Sequence, residues 1–115
     1  MKINKNIAVI GLGYVGLPLA VELGKKFKII GFDISKKRIK ELESNKDVTL
    51  ELEEKEIESS KHLEFSHNVE DIQDCKIFII TVPTPIDDAR RPNLGPIRKA
   101  SETVGSLLKK DDIVI

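Results

Sequence analysis

Three glycines in G-x-G-x-x-G spacing, Gly11, Gly13 and Gly16, follow the apolar run IAVI, and Asp33 closes the next apolar run 22 residues after the first of them. These residue types at this spacing suit the binding of a dinucleotide. Gly11 lets the chain turn sharply off a strand, Gly13 lets bare backbone approach a pyrophosphate, and Gly16 lets a helix pack closely against a sheet. The phosphates then sit at the free N–H groups and positive dipole end of a helix beginning near Tyr14. Asp33 accepts hydrogen bonds from the adenosine ribose hydroxyls. The competing reading is a tight strand-to-helix turn that holds no ligand. A carboxylate at this place repels a 2′-phosphate, so NAD is expected over NADP, although Lys36, Lys37 and Arg38 follow closely.

Other polar residues fall near the same place. In TVPTP (81–85), Pro83 and Pro85 restrain the backbone, and Thr84 either offers its hydroxyl and N–H to the nicotinamide side of the cofactor or bonds its own backbone. Arg38 either lies over the adenine or its ribose, or is a solvated cation beside Lys36 and Lys37. His62 and His67 have no third ligand at metal spacing and read as surface or strand-edge histidines, so no metal site is expected. Cys75 reads as a small buried hydrophobe rather than a nucleophile. Asp87, Asp88, Arg90 and Arg91 read as a solvated loop flanking the cleft.

These residues need a scaffold. The hydrophobic patterning predicts strands over 6–10, 28–32, 62–66 and 76–82, with a terminal strand within 111–115. Helices are predicted over 14–26, 36–44, about 51–60, 68–74 and about 96–109. The first is expected to turn Val15, Leu19, Leu23 and Phe27 inward, and the second Ile39 and Leu42. Ser35 and Asn68 are the expected N-caps. Strands alternating with helices imply right-handed βαβ crossovers and the α/β class, a Rossmann-type doubly wound parallel sheet. A strand order of 3-2-1-4 would set the strand at 76–82 beside the first, across the switch point where ligands bind.

At 115 residues the chain suits one domain, 1–115, and its 19 Lys and Arg balance 19 Asp and Glu. No charge excess points to nucleic acid or an anionic membrane. One cysteine excludes an internal disulfide and fits a reducing compartment. No signal peptide and no apolar run of membrane-spanning length is visible, so a cytoplasmic protein is expected. The chain stops at DDIVI, inside an apolar strand, and is therefore expected to be a fragment of a longer polypeptide, its sheet truncated at the C-terminus.

Taken together, GLGYVGLPLA, GFDISKKRI, TVPTPID and KASETVGSLLKKDDIVI resemble the N-terminal NAD-binding domain of the UDP-glucose/GDP-mannose dehydrogenase family. Within it, the chain is similar to the branch acting on UDP-N-acetylhexosamines, including the UDP-N-acetylglucosamine and UDP-N-acetylgalactosamine 6-dehydrogenases of polysaccharide biosynthesis. The resemblance implies cofactor contacts from the backbone at Tyr14 and Val15 and from Asp33, Arg38 and Thr84. It also implies a parent enzyme, a homo-oligomer, that oxidises the 6-hydroxyl of a UDP-sugar twice, to a uronic acid, reducing two NAD. The family's cysteine, which forms a thiohemiacetal, and its lysine and asparagine helpers lie in later segments absent from this chain. Cys75 matches no catalytic position, so no catalytic residue is assigned, and the chain alone is expected to be inert. Two other readings stay open on the glycine motif: a hydroxyacid dehydrogenase of the 3-hydroxyisobutyrate group, and a non-catalytic nucleotide sensor like the regulatory domains of potassium-transport systems.

Overall fold

A computed structural model describes residues 6–44, 54–82, 86 and 89–115. Five strands form one sheet in the order β3-β2-β1-β4-β5, with β1 Ile7–Ile10, β2 Ile29–Phe32, β3 Leu63–Ser66, β4 Ile77–Ile80 and β5 Ile113–Val114. Every pairing is parallel; Ile7 stands opposite Ile29 on one side and Ile77 on the other. This is the doubly wound order expected from the alternating pattern. Its reversal falls between β1 and β4, so a crevice opens at the carboxyl ends of those two strands.

Because alternate strand residues point to opposite faces, the sheet carries two apolar layers. One gathers Val9, Leu12 and Ile29 with Leu17, Ala20 and Val21 of α1 (Gly16–Gly24), Ile39 and Leu42 of α2 (Lys36–Glu43), and Ile57 of α3 (Glu54–Glu58). The other gathers Ala8, Ile10, Phe32 and Phe78 with Ala100 and Val104 of α4 (Gly95–Leu107) and Ile72 of a 3₁₀ turn (Val69–Ile72). Phe78 is wholly buried at the sheet's centre; truncating such a side chain to alanine costs about 3–5 kcal/mol.

The buried face of α1 matches the expected one only in part: Leu23 packs, partly buried, against the core. Val15 and Phe27 are exposed at 68% and 51%, and the helix instead buries Gly16, Leu17, Ala20, Val21 and Gly24. The small residues 16, 20 and 24 recur every fourth position, a stripe that brings the helix backbone close to the sheet. A Cβ at Gly24 would collide with the Ser60 hydroxyl, which donates to the Val21 carbonyl at 2.7 Å. Gly24 therefore serves this close approach.

Ser35 caps α2 as expected, its hydroxyl accepting from the Arg38 amide at 3.2 Å. Asn68 does not cap the turn after β3 with its side chain. Ser66 takes the local role: its oxygen accepts from the Asn68 amide at 3.0 Å, and its hydroxyl donates to Asp71. The acid-rich run is helical over Glu54–Glu58 among the described residues, and the predicted positions 51–53 lie outside them. Pro96 occupies the first turn of α4, and the Gly95 amide donates to Asn93 Oδ1 at 2.9 Å. β5 is an edge strand with Ile113 and Val114 about half exposed. Among the described residues, no helix is long and apolar enough to cross a membrane.

A candidate dinucleotide-binding site

The crevice is built around the turn leaving β1. Gly11 has φ 99°, a left-handed conformation that an L side chain rarely adopts. Its amide donates to the Phe32 carbonyl at 2.8 Å, continuing the sheet one residue past β1. From the end of β4, Thr81 ties the same turn down. Its amide donates to the Ile10 carbonyl at 2.8 Å, while its hydroxyl lies 2.7 Å from the Gly11 carbonyl and 3.1 Å from that of Ile10. Gly16 sits directly against this arrangement: a Cβ there would overlap the Gly11 carbonyl and the Thr81 hydroxyl. Its small size thus lets α1 start hard against the turn, in addition to the packing of helix on sheet.

Gly13 is different. A Cβ added to it would meet nothing within 4 Å. Its missing side chain faces open space, the volume a pyrophosphate needs. Among the described residues, no group accepts from the amides of Gly13, Tyr14 or Val15. Val15, at the N-cap of α1, makes no side-chain cap, and the first turn holds no acidic residue. The positive end of a nine-residue helix is therefore left without an internal counter-charge, as an anion site requires.

Asp33 follows β2 and points back at the turn. Its Oδ2 accepts from the Leu12 amide at 3.0 Å and its Oδ1 from the Ser35 amide at 2.9 Å. A carboxylate has about four acceptor positions, so both oxygens retain capacity for a sugar diol. Arg38 holds the same residue from the other side, its Nε donating to the Leu12 carbonyl at 2.8 Å and its guanidinium lying 3.6 Å from Glu41. Arg38 lines the crevice, but this donor is committed to the turn rather than to solvent. Tyr14 and Val15 project exposed side chains above the turn. Thr84 lies outside the described residues.

Gly11, Leu12, Gly13, Asp33 and Arg38 line a cleft of about 440 Å³ that runs from Gly13 past Asp33 to α4. Pro96, Lys99, Ala100 and Thr103 supply its far wall. Sequence reasoning missed that wall, together with Thr81 and the Leu12 amide. The signal for the wall was the spacing 96, 99, 100 and 103, one face of a helix, directly after the proline-rich loop. Cys75 lies at the opposite, amino-terminal end of β4, fully buried. Burial, then the negative charge of Asp74, push its thiol from 9.0 up to about 11; Lys28 opposes this and Asp112 adds to it. It takes no part in the cleft.

A doubly wound parallel sheet with a glycine turn, an uncapped helix N-terminus and an acid after the second strand, all at its switch point, is a Rossmann-type dinucleotide-binding domain. Residues 5–115 match the UDP-glucose/GDP-mannose dehydrogenase family, NAD binding domain. The chain belongs to that family, and its cofactor is NAD. It is 55% identical over 109 residues to UDP-N-acetyl-D-glucosamine 6-dehydrogenase of Pseudomonas aeruginosa and 54% identical to the enzyme of that name from Salmonella typhi, matches covering 95% of this chain. A solved UDP-D-ManNAc dehydrogenase from Pyrococcus horikoshii superposes on 95% of it with a TM-score of 0.80 and 32% identity. The chain spans about a quarter of these relatives, 26% of the first two and 27% of the third. With the whole matched length inside this family, the hydroxyacid-dehydrogenase and nucleotide-sensor readings fall away.

Proposed function

We propose that the protein carrying this chain is an NAD-dependent nucleotide-sugar 6-dehydrogenase, which oxidises the 6-hydroxyl of a UDP-N-acetylhexosamine to a carboxylate as two NAD become two NADH. The geometry that supports this reading is the open amide cradle at Gly13, Tyr14 and Val15 with the Asp33 carboxylate beside it. Identity of 54–55% to relatives bearing that activity narrows the substrate class. In this reading the chain is the cofactor half of the enzyme, one domain of a longer dehydrogenase. The amides of Gly13, Tyr14 and Val15 hold the pyrophosphate, and Gly11 and Gly16 shape the cradle. Asp33 takes the adenosine ribose diol, Arg38 borders the adenosine, and Thr84 serves the nicotinamide side. NAD, when bound, supplies the hydride acceptor. The groups that act on the sugar come from outside residues 1–115. The enzyme works as a cytoplasmic homo-oligomer, with neither nucleic acid nor membrane as partner.

The test is spectrophotometric. The full-length protein, given NAD and UDP-N-acetylglucosamine, should form two NADH for each UDP-sugar consumed. Turnover of UDP-glucose alone would move the substrate assignment, and no turnover of any UDP-sugar would overturn the reading. Calorimetry should show NAD binding more tightly than NADP; the reverse order would remove Asp33 from its role.

A further inference from the structure

Past Asp33 the cleft continues as a slot between the loop after β2 and α4. Ile34, Val82, Pro96 and Ala100 make its walls apolar, and Lys99 and Thr103 are the polar side chains that α4 adds. An apolar slot beside a carboxylate placed for ribose suits a flat heteroaromatic base, with few polar groups to fix which base enters. Thr103 is already engaged in a telling way. Its Oγ1 lies 3.0 Å from the Lys99 carbonyl oxygen. A carbonyl has no hydrogen to give, so the hydroxyl donates there, and its one proton is used. What Thr103 can still present to the cleft is acceptor lone pairs.

We propose that Thr103 is a specificity-determining residue for the base of the cofactor. Its oxygen accepts from the exocyclic amine of adenine, and it disfavours a purine that carries a carbonyl at that position. The inference rests on the NAD reading above and deepens it. Adenine offers an N–H donor where hypoxanthine and guanine offer an acceptor oxygen. Against such an oxygen, Thr103 would face acceptor with acceptor, or would have to give up its bond to Lys99. A site whose polar group is matched to a ligand N–H discriminates against the analogue that lacks it.

Nicotinamide hypoxanthine dinucleotide differs from NAD at this group and its neighbouring ring nitrogen, and isothermal titration of the protein with both cofactors tests the proposal. Wild type should prefer NAD by about five-fold, the effect of one neutral hydrogen bond. Thr103→Val, which keeps the branched shape, should weaken NAD, bind the hypoxanthine cofactor no less tightly than wild type does, and so erase the preference. Thr103→Ser, which keeps the oxygen, should retain it. Loss of helix packing alone would weaken both cofactors together and leave their ratio intact. Equal wild-type affinities, or a preference that survives in Thr103→Val, overturns the proposal. A protein that binds neither dinucleotide would overturn the cofactor site itself, and this assignment with it.

Discussion

The carboxylate of Asp33 sits 3.0 Å from the main-chain amide of Leu12, 21 residues earlier in the chain. That bond ties the loop after β2 to the glycine turn after β1, and the Arg38 bond to the Leu12 carbonyl at 2.8 Å completes the grip. Asp33 and the glycine turn, proposed to hold the ribose and the pyrophosphate, are thus kept in one fixed relation before any cofactor arrives. Pre-formed geometry of this kind lowers the ordering cost of binding.

Asp33 therefore has two duties, and its removal should show both. Asp33→Ala should lower stability by about 1–3 kcal/mol, because the half-buried Leu12 amide loses its acceptor. It should also weaken NAD by about tenfold or more, the loss of charge-assisted bonds to the diol. Thermal denaturation and calorimetry on the same variant separate the two effects. A replacement at His67, outside the cleft, should change NAD affinity little.

Gly13 and Gly16 should part company on substitution to alanine. At Gly13 the new methyl enters open space and the backbone φ lies outside the left-handed range, so stability should hold or rise by about 0.5 kcal/mol. NAD affinity should nonetheless fall by about tenfold or more, because the methyl occupies the pyrophosphate's place. Gly16→Ala should instead destabilise by about 3 kcal/mol, since its methyl overlaps the Gly11 carbonyl and Thr81. Denaturant titration beside cofactor titration checks the contrast.

Thr81→Val should remove the hydroxyl bonds to the Gly11 and Ile10 carbonyls while preserving shape. The expected cost is about 1 kcal/mol in stability, with a weaker grip on NAD because the turn is no longer pinned to β4. Thr81→Ser should restore much of both. A Val variant with unchanged NAD affinity would show that the turn holds its shape without Thr81.

Cys75 gives a pH dependence of definite sign. Burial holds its thiol neutral up to about 11 in the folded protein, against 9.0 ordinarily. Between those values the unfolded chain has lost the proton and the folded chain keeps it. Stability should therefore be fully present below pH 9 and decline as pH rises toward 11. Cys75→Ala should flatten that decline in urea denaturation measured across this range. In the native wild type, thiol reagents should react slowly at neutral pH and fast once the chain unfolds.

That Gly11, Gly13 and Asp33 meet at one cleft was readable before any coordinates. Gly11, Gly13, Gly16 and Asp33 announce themselves because each role depends on residue type at a fixed chain distance, and backbone geometry near a strand end leaves few alternatives. The inward face of α1 was read correctly at Leu23 but not at Val15 or Phe27, for a physical reason. Val15 and Phe27 are apolar, but the sheet admits the stripe of small residues 16, 20 and 24, which hydrophobicity alone does not rank as a packing face. The Asn68 side chain makes no cap: the Asp71 amide is met by the Asn68 main-chain carbonyl instead, and Ser66, from the end of β3, holds the Asn68 amide.

The order of apolar runs, glycines and acid determined by itself that this is a doubly wound sheet carrying a dinucleotide turn, because periodicity and backbone sterics act over short stretches of chain. Tertiary structure alone decided that Thr81 pins the turn from 70 residues away, that Leu12 joins two loops, and that one face of α4 closes the cleft. Those partners meet only when the parallel sheet sets β4 beside β1. No local pattern in the chain specifies which distant hydroxyl will arrive there.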